Sequence, residues 1–114
     1  MNVQGRKLQL QNELNRILPI IRDQYQPEKV IAYGSYARGT THEWSDLDIA
    51  IVKKTNRKFL DRLQDVMMLT QSKIATEFVV YTPEEFQEMA RNNYFIREEI
   101  LKNGTLLYDK NATN

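Results

Sequence analysis

Residues 30–52 read VIAYGSYARGTTHEWSDLDIAIV and carry the most informative pattern in the chain. The apolar run from Lys29 to Tyr33 predicts a short buried strand that ends in a tight turn at Gly34-Ser35. Further on, residues 46–52 alternate between polar and apolar side chains, which predicts a second strand with its apolar side facing a core. That apolar side is formed by Leu47, Ile49 and Ile51.

The opposite side of the second predicted strand presents Asp46 and Asp48. Residues at i and i+2 on a strand point the same way with Cα atoms about 6.6 Å apart, so the two carboxylates can converge on cations. Divalent cations about 3.5–4 Å apart are used in in-line phosphoryl chemistry. Taken alone, an Asp-x-Asp pair is more often a solvated sheet edge or a charged turn.

The Gly34-Ser35 turn adds a second element that fits phosphate chemistry. Glycine lets the backbone approach a ligand closely, and the serine hydroxyl with nearby backbone N–H groups can hold phosphate oxygens. Arg38 lies between the two motifs as a partner for triphosphate charge. Ser45 can orient Asp46 or a phosphate, although a turn-making hydroxyl is the simpler interpretation. A Gly-Ser pair alone is usually a turn, but the joint arrangement favours a nucleotide site.

The run from Gly34 to Gly39 and on through Ser45-Asp46-Leu47-Asp48-Ile49 resembles the signature of the minimal nucleotidyltransferases. These are small members of the DNA polymerase β-like superfamily. The resemblance implies nucleotide binding by Gly34, Ser35, Arg38 and Ser45. It also implies a metal site at Asp46, Asp48 and a third carboxylate from the neighbouring strand, for which Glu77 is the candidate. Many family members carry aspartate there, and the plain alternative is an exposed glutamate at a strand start.

This resemblance implies transfer of a nucleoside monophosphate, with ATP as the expected donor, to an acceptor hydroxyl with release of pyrophosphate. Mg²⁺, in a two-metal site, is the expected cofactor, and Glu77 is the expected general base. Relatives often act as antitoxins that transfer AMP to a tyrosine of a small HEPN toxin. The only histidine, His42, is followed by Glu43-Trp44, so the chain lacks the HEPN motif and such a partner would be a separate chain.

Two alternatives come from other functional classes. One is an antitoxin that neutralises its partner by binding, with weak or no catalysis. The other is a stand-alone transferase acting on RNA or on a small molecule such as an aminoglycoside. Exchange of Asp46 and Asp48 for asparagine distinguishes the first alternative from catalysis.

The composition of the chain limits the domain organisation, partners and location that we expect. A chain of 114 residues with 41% hydrophobic side chains is expected to form one domain, residues 1–114, with the catalytic signature at 30–52. A net charge of +1 leaves nucleic-acid binding unsupported, and the lack of cysteine excludes thiolate metal sites. With no signal peptide or long apolar run, we expect a soluble cytoplasmic protein without membrane contact. Formation of a homo-oligomer is compatible with the sequence.

The remaining elements follow from periodicity. Helices are predicted at about 7–25, with a kink at Pro19, at about 59–70, and at about 83–91 and 94–102. Strands are predicted at about 75–81 and 105–108, and residues 110–114 are predicted to be a loose tail. Together these elements predict a single-domain α/β (α+β) fold of the polymerase β-like type, with a mixed sheet of about four strands flanked by helices.

Overall fold

A computed structural model describes residues 2–112. Within that range the strands are β1 (Lys29–Tyr33), β2 (Leu47–Val52), β3 (Thr76–Tyr81) and β4 (Thr105–Asp109). They form one sheet in the order β3-β2-β1-β4. β1 runs antiparallel to β2 and β4, whereas β2 and β3 are parallel. The predicted mixed sheet of four strands flanked by helices is confirmed.

The helices of the described range flank this sheet. They are α1 (Val3–Ile20), α2 (Gly34–Arg38), α3 (Phe59–Thr70), α4 (Pro83–Asn92) and α5 (Ile96–Lys102), the last with π-type hydrogen bonding. Helix α4 starts where it is predicted, at Pro83: Thr82 and Glu85 cap each other's backbone N–H groups, and Pro83 occupies the first helical position. The short helix α2 is not among the predicted helices.

Helix α1 begins earlier than its apolar pattern predicts. The Asn2 side chain accepts a hydrogen bond from the Gly5 N–H at 2.7 Å, and this cap starts the helix at Val3. Pro19 lies inside the last turn of α1, and a π-type turn, Ile21–Tyr25, continues directly from it. The helical path ends at Gln26, whose φ of 55° is left-handed.

Each face of the sheet is covered by a separate apolar cluster. The α1–α3 cluster contains the apolar side of β2 and helical residues that include Leu10, Ile17 and Val66. The α4–α5 cluster contains Ala50 and Val52 from the other side of β2, packed against Phe86, Ile96 and Ile100. β2 is therefore covered on both sides along most of its length, and polar residues face the second side only near its start.

The predicted tail at 110–114 is described only in part. The Lys110 N–H donates to the Glu28 carbonyl oxygen at 2.9 Å, which holds the chain just after β4 against the start of β1. Residues 113–114 lie outside the described range. None of the helices within residues 2–112 combines the length and the apolar character that a membrane crossing requires.

Candidate active site

Three carboxylates meet at the start of the two parallel strands, β2 and the edge strand β3. Asp48 is the second residue of β2 and pairs in register with Glu77 on β3, while Asp46 directly precedes β2. Each residue offers a carboxylate oxygen, and the three oxygens lie within 4.8 Å of one another. Alternation along β2 and β3 places all three on the sheet face that α4 and α5 cover. The structure thus places Glu77, the candidate third carboxylate, beside the two aspartates.

The electrostatics of this cluster are unfavourable without a cation. The pKa of Asp48 is raised to about 7, mainly by burial and also by the negative charges of Asp46 and Glu77. Within residues 2–112, no lysine or arginine forms an ion pair with any of the three carboxylates. Like charges held together in this way are common where a protein binds a cation or tunes a titrating group.

Gly34 is the residue that lets the carboxylate cluster sit against the turn. Its φ is +77°, and a Cβ atom built there would lie 2.1 Å from the Asp48 Oδ2 atom. Any other residue would therefore be strained in this left-handed backbone conformation and would also displace the Asp48 carboxylate. The turn and the acidic pair, ten residues apart in sequence, are in van der Waals contact here.

A chain of hydrogen bonds holds the Ser35 hydroxyl in place. The Ser35 and Ser45 Oγ atoms are 2.8 Å apart, and the buried Ser45 Oγ also accepts the His42 N–H at 2.8 Å. When Ser45 donates to Ser35, the Ser35 proton is free for a ligand oxygen. Ser45 is thus placed as a support for Ser35. Arg6 of α1 donates to the Ser45 carbonyl oxygen at 2.8 Å and anchors the same loop.

Arg38 lies on the last turn of α2, and its guanidinium is engaged by another side chain. The Arg38 Nη1 atom donates to a carboxylate oxygen of Glu99 on α5. Both side chains are partly exposed, so the pair is solvent-screened and exchangeable. Arg38 therefore lies next to the Gly-Ser turn but, in this structure, pairs with a carboxylate rather than extending freely.

Sequence reasoning missed several residues that border the site. Tyr33 pairs in register with Asp48, and burial together with the nearby carboxylate charges raises its pKa above the usual range. The Tyr33 ring contacts Phe95 edge-on, with centroids 6.1 Å apart. Arg6, Phe95 and Glu99 are distant from the motifs in sequence, so no local signal identifies them. Tyr33 directly precedes Gly34, so its place next to the predicted turn could have identified it from the sequence.

The donor set fits magnesium. Carboxylate oxygens are the ligands that Mg²⁺ prefers, and at Mg–O distances of 2.0–2.1 Å two oxygens on opposite sides of one ion lie about 4.2 Å apart. The three oxygens here lie within 4.8 Å of one another, a separation compatible with their holding a metal ion together. A divalent cation would also relieve the repulsion that raises the pKa of Asp48.

The fold and this arrangement define a nucleotidyltransferase domain of the polymerase β type. The chain belongs to that family: residues 15–113 match the family described as Polymerase beta, Nucleotidyltransferase. Such domains use nucleoside triphosphates as substrates and a divalent metal ion.

Individual relatives agree with that family. The chain is 29% identical over 98 residues to MntA of Haemophilus influenzae, a candidate protein adenylyltransferase, covering 82% of this chain and 86% of the relative. A candidate nucleotidyltransferase from Sulfolobus solfataricus superposes with a TM-score of 0.69 at 19% identity, covering 95% of this chain and 87% of that protein. This second likeness shows the shared fold alone.

Proposed function

We propose that the protein transfers AMP from ATP to a hydroxyl group of a protein partner and releases pyrophosphate. The observation that carries the proposal is the cluster of Asp46, Asp48 and Glu77, whose oxygens lie within 4.8 Å of one another beside the Gly34-Ser35 turn. Family membership supports nucleotidyl transfer in general. The similarity to MntA, described as a candidate protein adenylyltransferase, supports AMP and a protein acceptor in particular.

The turn residues would bind the phosphates of the donor. The Ser35 hydroxyl, oriented by Ser45, donates to a phosphate oxygen, and the glycine at 34 lets the backbone approach closely. Arg38 exchanges its partly exposed partner, Glu99, for a phosphate oxygen of the triphosphate. Phosphate binding by this chain would therefore rest on residues of α2 and of the loop before β2.

The carboxylates would hold the metal and handle the proton. Asp46, Asp48 and Glu77 would bind Mg²⁺, which when present neutralises phosphate charge and lowers the pKa of the attacking hydroxyl. Glu77, the most exposed of the three, would accept the proton of the acceptor hydroxyl. The acceptor oxygen forms a bond to the α-phosphorus of ATP, the bond from the α-phosphorus to the bridging oxygen breaks, and pyrophosphate leaves.

The acceptor we propose is a tyrosine hydroxyl on a separate HEPN-type protein, with this chain acting as the antitoxin. The motif from Gly34 to Ile49 supports this assignment through its resemblance to minimal nucleotidyltransferases. Use of ATP as donor would place the reaction in the cytoplasm.

A labelling experiment tests the proposal. The purified protein would be incubated with Mg²⁺, ATP labelled on its α-phosphate, and the product of a neighbouring HEPN-type gene. Label should appear on the partner with the natural protein and with Asp23→Asn, a control that changes an exposed aspartate paired with Arg22. The Asp46→Asn, Asp48→Asn double variant should give none.

The other outcomes are decisive as well. Absence of label on any protein, while the natural chain still binds and neutralises its partner, would refute transfer and leave an antitoxin that acts by binding. Label on RNA instead of protein would refute the protein acceptor and retain the nucleotidyl transfer.

A further inference from the structure

The rim of the site carries a half-exposed aromatic ring that the reaction described above does not use. Phe95 directly precedes α5, and half of its surface (50%) remains exposed. The Phe95 and Tyr33 rings pack at an interplanar angle of 89°, and Tyr33 pairs in register with Asp48. Phe95 is therefore fixed on one side by a buried residue that borders the carboxylates and is open to solvent on the other.

Helix α5 connects this ring to the phosphate side of the site. Phe95 and Glu99 are four residues apart along a helical path, so they lie on nearly the same face. Glu99 pairs with Arg38 on α2, while Phe95 reaches Tyr33 at the end of β1. The same face of α5 thus runs beside both the Gly-Ser turn and the carboxylate cluster.

Two other aromatic residues near the motif, the exposed Trp44 and the half-buried Tyr36, lie on the opposite side of the sheet. Trp44, 85% exposed, borders a surface depression with Arg6 and Gln9 of α1. The Tyr36 hydroxyl donates to Gln11 of α1, and its ring packs against the α1–α3 cluster. The carboxylates face the α4–α5 side. Phe95 is thus better placed than Trp44 or Tyr36 to contact a nucleotide whose phosphates lie at Ser35.

We infer that the exposed face of Phe95 stacks on the nucleobase of the bound nucleoside triphosphate and contributes to donor affinity. This inference rests on the proposed function, since it assumes that the triphosphate binds at Ser35 and the carboxylates. Stacking on an aromatic side chain is available to every base, because each has a π-face. Purines offer the larger ring surface, and for that reason Phe95 favours ATP and GTP over CTP and UTP.

The test compares two probes that differ only by the nucleoside. Dissociation constants of ATP and of inorganic triphosphate, each with Mg²⁺, would be measured by calorimetry, which needs no turnover. Phe95→Ala should weaken ATP binding by roughly tenfold and leave inorganic triphosphate binding unchanged. Phe95→Trp should retain or tighten ATP binding, because the larger ring keeps the stacking surface.

Leu101→Ala is the matched control. Leu101 lies on α5 with nearly the same exposed fraction, 48%, but roughly a third of a turn away from Phe95 around the helix. It should change neither affinity. Equal weakening of both probes by Phe95→Ala would show a merely structural role and overturn the inference.

The inference and the proposed function fail in different ways. If the natural protein transfers AMP but Phe95→Ala binds ATP as tightly as the natural protein, the stacking role is refuted and the transferase stands. If the natural protein binds neither ATP nor inorganic triphosphate with Mg²⁺, both are refuted.

Discussion

Two carboxylates of this protein, the buried Glu13 on α1 and the half-buried Asp48 on β2, have surroundings that shift their pKa values in opposite directions. Glu13 is 5% exposed and accepts hydrogen bonds from Arg16, Ser72 and the Lys73 N–H. The Arg16 hydrogen bond, opposed by burial, lowers the pKa of Glu13 to about 2. At Asp48, burial and two neighbouring carboxylates raise the pKa to about 7.

The difference shows that burial alone does not decide what a carboxylate does. Glu13 joins α1 to the segment between α3 and β3, and its charge is satisfied by donors within the chain. Asp48 is surrounded by acids, so its charge is satisfied only by something that the chain does not supply. The first arrangement stabilises the fold, whereas the second costs stability and suits a bound cation.

The largest expected effect comes from Asp48→Asn. Because it removes a carboxylate of the proposed metal site, AMP transfer should fall by roughly a thousandfold or more. The same change removes like-charge repulsion, so at pH 8 the metal-free protein should gain about 1–2 kcal/mol in its free energy of unfolding. Rate assays and urea titrations would measure the two effects. A loss of both activity and stability would contradict the comparison with Glu13.

Gly34→Ala tests the contact between the turn and Asp48. Its Cβ would lie 2.1 Å from Asp48 Oδ2, so the carboxylate must shift, and transfer should fall by roughly a hundredfold. Gly39→Ala is the matched control: Gly39 has a similar φ of +78° but nothing within 4 Å of the added atom. In both variants the left-handed backbone should lower the free energy of unfolding by about 1 kcal/mol. Equal activity in the two would show that the close approach has no function.

Glu13→Gln should act on stability and leave catalysis unchanged. Loss of the ion pair and of hydrogen bonds at a buried position is expected to lower the free energy of unfolding by about 2–3 kcal/mol at pH 7. Glu88→Gln, at an exposed glutamate near Arg91, should change it by less than about 0.5 kcal/mol. Similar denaturation midpoints for the two variants would refute the structural role of Glu13.

The smallest expected effect is the pH dependence of metal binding. Because Asp48 is protonated below about pH 7 in the folded metal-free chain, protons compete with Mg²⁺, and affinity should fall by up to tenfold per pH unit between pH 7 and 6. The Mg²⁺-induced rise in melting temperature should therefore be larger at pH 8 than at pH 6. An equal rise at both pH values would contradict the raised pKa.

Stability without metal should show opposite signs at the two carboxylates. The folded state holds an extra proton on Asp48 between its unfolded pKa near 3.8 and about 7, so the contribution of this group becomes more favourable as pH falls through that range. The pKa of Glu13 is lowered instead, so its stabilisation is present above about 4.5 and is lost as pH falls toward 2. Urea titrations of Asp48→Asn and Glu13→Gln would separate the two contributions.

Much of the fold was readable because its signals are local. Strand β1 matches its predicted bounds, and α3 and β3 differ from theirs by at most one residue. Helix α2 was not predicted, because a five-residue helix has too few turns to show periodicity. The start of α1 was missed since it depends on a single cap at Asn2 rather than on apolar spacing.

The candidate site likewise combines features that depend on neighbouring residues with features that depend on the packing of distant ones. Asp46 and Asp48 share a face because of strand alternation, and Gly34 next to Ser35 marks a turn; both are properties of adjacent residues, so the sequence alone determined them. Their contact, the pairing of Glu77 with Asp48, the Arg38–Glu99 ion pair and the position of Phe95 depend on strand register and helix packing. Only the tertiary structure decided these, since register and packing are set by the burial of both sheet faces together, which no local stretch of sequence encodes.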